Sequence, residues 1–121
     1  MVNTVSWFEV ATDEPEGVQR FYGDLFGWHF AEAQGVSMDY RFITETEGAK
    51  PTGGILGTEG RRPGHAVFFV HVDDVETACV RAEALGGKVL SKVIDDTGGA
   101  SFAYLHDISG NLFGVHTPPA G

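Results

Sequence analysis

The chain has 121 residues, 42% of them apolar and 21% charged, and a formal net charge of −9. That length and balance suit a single folded domain with its own core, and the acidity disfavours nucleic-acid phosphates and anionic bilayers as partners. The longest apolar run, "AVFFV" at residues 66–70, is far too short to span a membrane, and "MVNTVSWFEV" lacks the basic-then-apolar order of a signal peptide. One cysteine, Cys79, allows no internal disulfide and fits a reducing cytoplasm.

In chain order, residues 5–10 read as a strand. Val18, Phe21, Tyr22 and Leu25 then recur at helical spacing, with Asp13 and Glu16 predicted as a capping box and Gly27 as the stop. Short strand-like runs follow in "WHF", "DYRFI" and "GGIL", divided by Gly, Pro and Asp clusters. The segment "GTEGRRPG", residues 57–64, is polar and rich in breakers, and reads as the joint. A second strand at residues 65–72 leads to Val75, Ala78, Cys79, Ala82 and Leu85 at helical spacing. Asp73 and Glu76 form the matching capping box and Gly87 the matching stop. The runs "KVLSKVI", "SFAYLH" and "LFGVH" complete the chain.

The pattern is βαβββ twice: module one at 4–57, a linker at 58–64 and module two at 65–118. Sliding the chain by sixty residues lays "WFEVATDEPEGVQRFYGDLFGWHF" over "VFFVHVDDVETACVRAEALGGKVL" without gaps. Phe8 meets Phe68, Val10 meets Val70, Asp13 meets Asp73, Glu16 meets Glu76, Leu25 meets Leu85 and Gly27 meets Gly87. The identities fall on strand, cap and stop positions, so we expect a structural duplication within an α+β domain.

Several features carry no chemistry. "EGAKPTGGILG" has no phosphate-loop spacing, "RRPG" reads as a solvated linker, and Cys79 on an apolar helix face reads as a buried, inert thiol. "LHDISGNLFGVH", residues 105–116, holds two histidines and an aspartate, and Asp107 is placed to cap the turn through backbone N–H groups.

The pieces "FYGDLFGW", "VDDVETACVRAEALGGKV" and "LHDISGNLFGV" together resemble the vicinal oxygen chelate superfamily, which includes glyoxalase I, bleomycin-resistance proteins, fosfomycin-resistance enzymes and extradiol dioxygenases. The resemblance covers about residues 4 to 118. It implies two tandem βαβββ modules whose mixed sheets curl into a cleft (the glyoxalase/bleomycin-resistance fold), and a homodimer. In that superfamily a divalent metal is held by one side chain from the first strand and one from the last strand of each module. The resemblance places Trp7 and Val67 at the first-strand positions, Gly114 at the last-strand position of module two, and Ile55 or Leu56 at that of module one. None of these offers carboxylate oxygen or imidazole nitrogen, so no metal cofactor is expected. The turn also departs from the family's D-P-D-G-N, reading Asp107-Ile108-Ser109-Gly110-Asn111.

Strand parity then sorts the side chains. Phe8, Val10, Phe68 and Val70 should face the helices. Trp7, Glu9, Ala11, His65, Val67, Phe69 and His71 should face the cleft, with Leu112, Gly114 and His116 and with Phe102, Tyr104 and His106. Tyr40 and Phe42 are their first-module counterparts. His65 and His116 stand two residues from the lost ligand positions, a displacement of about 7 Å. They read as strand-end residues or as hydrogen-bonding groups for a substrate; a relocated metal site with Glu9 is a third reading. Glu9, in apolar company, reads as a general base, as a receiver for a cationic group, as the partner of Arg20 or Arg41, or as a carboxylate exposed at the cleft mouth. Trp7, Tyr40, Phe42, Phe69, Phe102 and Tyr104 could line a ligand pocket, fill the cleft or form a dimer contact, and the Tyr104 hydroxyl could orient a ligand.

Two function classes follow. One is a metal-independent protein that sequesters a cationic or aromatic small molecule, as the resemblance to bleomycin-resistance proteins implies. The other is a glyoxalase-related lyase or isomerase that uses Glu9, His65, Tyr104 and His116 as catalytic groups.

Overall fold

The computed structural model describes residues 2–33 and 38–118. The chain is α+β, with the order β1 (Thr4–Thr12), α1 (Pro15–Phe26), β2 (His29–Glu32), β3 (Tyr40–Thr44), β4 (Gly53–Gly57), β5 (His65–His71), α2 (Val75–Ala84), β6 (Lys88–Val93), β7 (Ser101–His106) and β8 (Leu112–Thr117). This is βαβββ twice. It packs as two compact units, one of residues 7–66 and one of residues 2–6 with 67–118. Among the described residues no helix is long and apolar enough to cross a membrane.

In the first unit the strands lie in the order β2-β3-β4-β1, with β4 parallel to β1 and the other pairs antiparallel. In the second the order is β5-β8-β7-β6, with β8 parallel to β5. Register shows the duplication directly. Glu9 pairs with Gly54, Val10 with Ile55 and Ala11 with Leu56. Sixty residues on, Phe69 pairs with Gly114, Val70 with Val115 and His71 with His116. The repeat therefore extends through the last strands, where Gly54 and Gly114 keep the sixty-residue offset and the residues around them differ.

Alternation along each strand sends one set of side chains to the helix and the other to the opposite face. In the second unit Val72, Val75, Cys79, Ala103, Leu105 and Val115 form a buried cluster, flanked by Val70, Ala78, Ala82, Val89 and Phe113. In the first unit Ile43 and Ile55 are fully buried, while α1 buries none of its side chains completely. Its aromatic face instead builds a ring stack: Tyr22 lies 5.6 Å from Trp28, Phe26 lies 5.0 Å from it, and Phe8 of β1 lies 5.7 Å from it on the sheet side.

The helix ends differ from the predicted capping boxes. α1 starts after Glu14, with Pro15 in its first turn and no side-chain cap. Proline supplies the helical φ and lacks an N–H to satisfy, so Asp13 has no capping role. In α2 the cap is Asp74, one residue after Asp73. Its carboxylate accepts from Glu76 N at 3.1 Å and from Thr77 Oγ1 at 2.8 Å. Gly27 ends α1 in the left-handed conformation, φ 75°, as expected. In α2 that role falls to Gly86, φ 102°, rather than Gly87. Gly87 is required for a different reason: a Cβ there would sit 2.9 Å from the His106 carbonyl oxygen.

The β7–β8 turn forms as read. Asp107 Oδ1 accepts from Ser109 N at 2.9 Å and Asn111 N at 3.0 Å, and Gly110 takes the positive φ of 85°. The Asn111 side chain and these backbone donors hold the Asp107 carboxyl below its usual range.

Candidate functional site

The predicted site residues fall into two groups, one in each unit. The first contains Trp7 and Glu9 of β1, Tyr40 and Phe42 of β3, and His65 at the start of β5. Parity puts Trp7 and Glu9 on the face away from α1, since Phe8 packs on Trp28. β3 presents Tyr40 and Phe42 on that same face, while Arg41 points to α1 and donates to Gln19 Oε1 at 3.0 Å. The rings form a corner: Trp7 and Phe42 meet edge-to-face at 5.8 Å, Tyr40 and Phe42 at 6.0 Å.

Polar groups tie this wall together. Trp7 Nε1 donates to Tyr40 Oη at 3.0 Å. Tyr40 in turn hydrogen-bonds Glu9, whose carboxylate contacts His65 Nε2 at 2.8 Å. Glu9 is only 4% exposed. Burial, and next the Glu9 charge, push the Tyr40 hydroxyl well above its usual range, so it stays protonated as a donor. Glu9 is thus paired with His65, while Arg41 is engaged on the other face by Gln19 and by Asp39 at 3.4 Å.

The second group contains Phe69 of β5, Phe102 and Tyr104 of β7, and His116 of β8, on the face away from α2. Tyr104 meets Phe69 at 5.4 Å and Phe102 at 6.1 Å, both edge-to-face. His116 lies 5.9 Å from Phe69 and 5.9 Å from His71. Its Nε2 stands 2.6 Å from Ser6 Oγ. Burial, then the neighbouring His71, lower the His116 pKa, which favours the neutral ring. Ser6 was not among the predicted residues; an exposed serine in a strand carries no sequence signal of such a contact. His65 and His116 belong to different units, each with its own partner.

His29 is exposed, and His71 and His106 are half-buried. A separate open hollow of about 700 Å³ lies beside α1, lined among others by Gln19, Arg20, Trp28 and Arg41, and none of the predicted site residues reaches it.

The sequence pattern of the glyoxalase-like domain matches residues 7–116. The chain belongs to this family. A glyoxylase-like domain-containing protein of Didymella fabae is 31% identical over 120 residues, covering 95% of this chain and 94% of that one. CFP32 of Mycobacterium bovis, provisionally named as a glyoxylase, is 30% identical over 119 residues; the match covers 95% of this chain but 44% of CFP32. Among solved structures, a Streptomyces coelicolor methylmalonyl-CoA epimerase variant in complex with 2-nitronate-propionyl-CoA superposes with TM-score 0.67 at 15% identity, over 99% of this chain and all of that one. The fold is the vicinal oxygen chelate fold that the motifs implied.

The family's metal positions can now be located on this glyoxalase-like domain. Register makes Gly54 the counterpart of Gly114, so the last-strand position of module one is Gly54, not Ile55 or Leu56. At both glycines an aromatic ring occupies the space where a side chain would begin: a Cβ on Gly54 would overlap the Tyr40 ring, and one on Gly114 the Phe69 ring. Trp7 offers only an N–H, already given to Tyr40, and Val67 offers nothing. Among the described residues no group of three His, Cys, Asp or Glu is arranged to hold a metal ion. The residues present do not fit the family's metal.

Proposed function

We propose that this glyoxalase-like protein binds a small organic molecule without a divalent metal, and that it sequesters an aromatic or cationic compound rather than transforming it. The observation that carries this reading is the pair of covered glycines. Tyr40 over Gly54 and Phe69 over Gly114 replace two coordinating positions with ring surface. Each unit then presents an edge-to-face aromatic wall with few polar groups, the composition of a small-ligand site.

The test pairs metal analysis with ligand screening. Protein purified without chelator or polyhistidine tag should carry no stoichiometric zinc, nickel, iron or manganese. Members of a panel of aromatic and cationic compounds should raise its melting temperature, because a ligand of the folded form alone stabilises it, and a chelator should leave those shifts unchanged. One retained metal per chain overturns the reading.

The 2.8 Å contact between Glu9 and His65 favours a second reading, proton transfer by a lyase or isomerase. Glu9→Gln combined with Tyr104→Phe separates the two. An enzyme loses turnover in the double variant, whereas a sequestering protein shows no turnover in either form and loses only affinity.

A further inference from the structure

On the α1 side of the first unit's sheet, Arg41 holds more donors than its partners use. Its side chain is only 14% exposed. A guanidinium carries five N–H groups. Nη1 donates one of them to Gln19, a neutral amide, at 3.0 Å. Asp39 lies 3.4 Å from Nε but outside hydrogen-bond geometry, so Nε is buried without a hydrogen bond. Among the described residues no other hydrogen bond or ion pair reaches this guanidinium. Buried donors in folded proteins are nearly always matched by an acceptor, and Arg41 lines the hollow of about 700 Å³ beside α1.

Glu32 stands beside it. Glu32 of β2 and Arg41 of β3 are opposed partners in the antiparallel register, and both line the hollow. Opposed residues share a face and lie about 5 Å apart at their Cα atoms. Glu32 is exposed and makes no ion pair among the described residues. Glu16, Asp24 and Arg20 complete the charged lining, so three carboxylates stand against two guanidiniums. A plain anion would be repelled by the carboxylates, and a plain cation would leave Arg41 unused. We propose that this hollow is a second ligand site, built for a free α-amino acid with an apolar side chain. The ligand carboxylate takes the Arg41 fork, and its ammonium meets Glu32. A single carbon separates these charges in the ligand, which suits two protein charges on neighbouring strands. Trp28 and Phe30, both half-buried, receive the side chain. A peptide end carries only one of the two charges and satisfies only one of the two residues. The site lies on the opposite face of the sheet from Glu9 and stands independently of the binding reading above.

Phenylalanine, phenylalanine amide and N-acetylphenylalanine share a ring and carry, respectively, both charges, the positive one alone and the negative one alone. Each is titrated into the isotope-labelled full chain at neutral pH and low salt, and the two indole N–H resonances are followed by NMR. The chain has two tryptophans, Trp28 in the hollow and Trp7 in the wall with Tyr40, so the resonance that moves reports the site. Phenylalanine should move Trp28 and leave Trp7 in place. It should bind at least about tenfold tighter than either derivative, the loss expected for one charged hydrogen bond. Glu32→Gln alters an exposed residue and should bring N-acetylphenylalanine level with phenylalanine. Arg41→Lys keeps the charge but loses the fork, and should weaken phenylalanine binding severalfold. A shift at Trp7 alone, no shift at Trp28 from any probe, or no preference at Trp28 for phenylalanine over a derivative overturns the proposal on the wild-type protein, whether or not the Arg41 variant folds. Metal content and the melting-temperature screen decide the binding reading separately.

Discussion

Tyr40 covers Gly54 so closely that a single added carbon on the glycine would overlap the tyrosine ring. The contact sits at the last-strand position where the family resemblance implies a coordinating side chain. It also packs a ring whose hydroxyl is hydrogen-bonded to Trp7 and Glu9. Phe69 over Gly114 repeats the arrangement sixty residues later.

Alanine at either glycine must displace that ring. Gly54→Ala and Gly114→Ala should each destabilise the fold by about 1–3 kcal/mol through overpacking, read as a fall in the urea midpoint. Gly17, on α1, is the control: a Cβ there meets nothing closer than 4.0 Å, so Gly17→Ala should raise stability by about 0.5–1 kcal/mol through helix propensity. Equal behaviour of Gly54 and Gly17 would remove the steric argument.

Glu9 is the hub of the Trp7–Tyr40–His65 network and is almost fully buried. Glu9→Gln leaves one oxygen to accept and points an amide donor at another donor. We expect a loss of about 1.5–3 kcal/mol, the range for hydrogen bonds to a charged group. The near-UV circular dichroism of Trp7 and Tyr40 should change with it. An unaltered spectrum and midpoint would show that Glu9 does not organise the wall.

His116 makes stability depend on pH with a definite sign. Its folded pKa lies below the ordinary imidazole value of 6.5, because burial and then His71 disfavour the charged ring. As pH falls through 6.5 the unfolded chain takes up this proton and the folded one resists, so His116 costs stability progressively until its folded pKa is passed. Urea midpoints measured from pH 7.5 to 5.5 should therefore fall less steeply in His116→Asn than in wild type. A steeper fall in the variant would reverse the sign argued here.

Cys79 lies on the inner face of α2 at 2% exposure, and burial raises its thiol pKa. The thiolate is the reactive form. In native protein a disulfide reagent should react with Cys79 only as fast as the site opens, and within the mixing time in denaturant. Rapid stoichiometric labelling of the native chain would contradict its placement in the core.

Much of the fold was legible because it depends on local periodicity. Helical spacing in the two helices, alternation in the strands and Asp107 at its turn each follow from a few adjacent residues. The caps of α1 and α2 were displaced by one residue because Asp73 and Asp74 are equally good acceptors in sequence, and because Pro15 makes a side-chain cap unnecessary. Gly54 was missed as the counterpart of Gly114 because the residues around it do not match those around Gly114, although the sixty-residue offset is kept there, as the pairing of β1 with β4 and of β5 with β8 shows. His65 was not recognised as the partner of Glu9 because fifty-six residues separate them. Charge alone favoured Arg20 and Arg41 equally well.

By itself the sequence determined the element order and the duplication, since these are properties of residue type and spacing. Only tertiary structure decided which residues touch. It set Tyr40 over Gly54, closed the line from Trp7 to His65, and joined Ser6 to His116, because strand register and side-chain packing bring together groups that no local pattern relates.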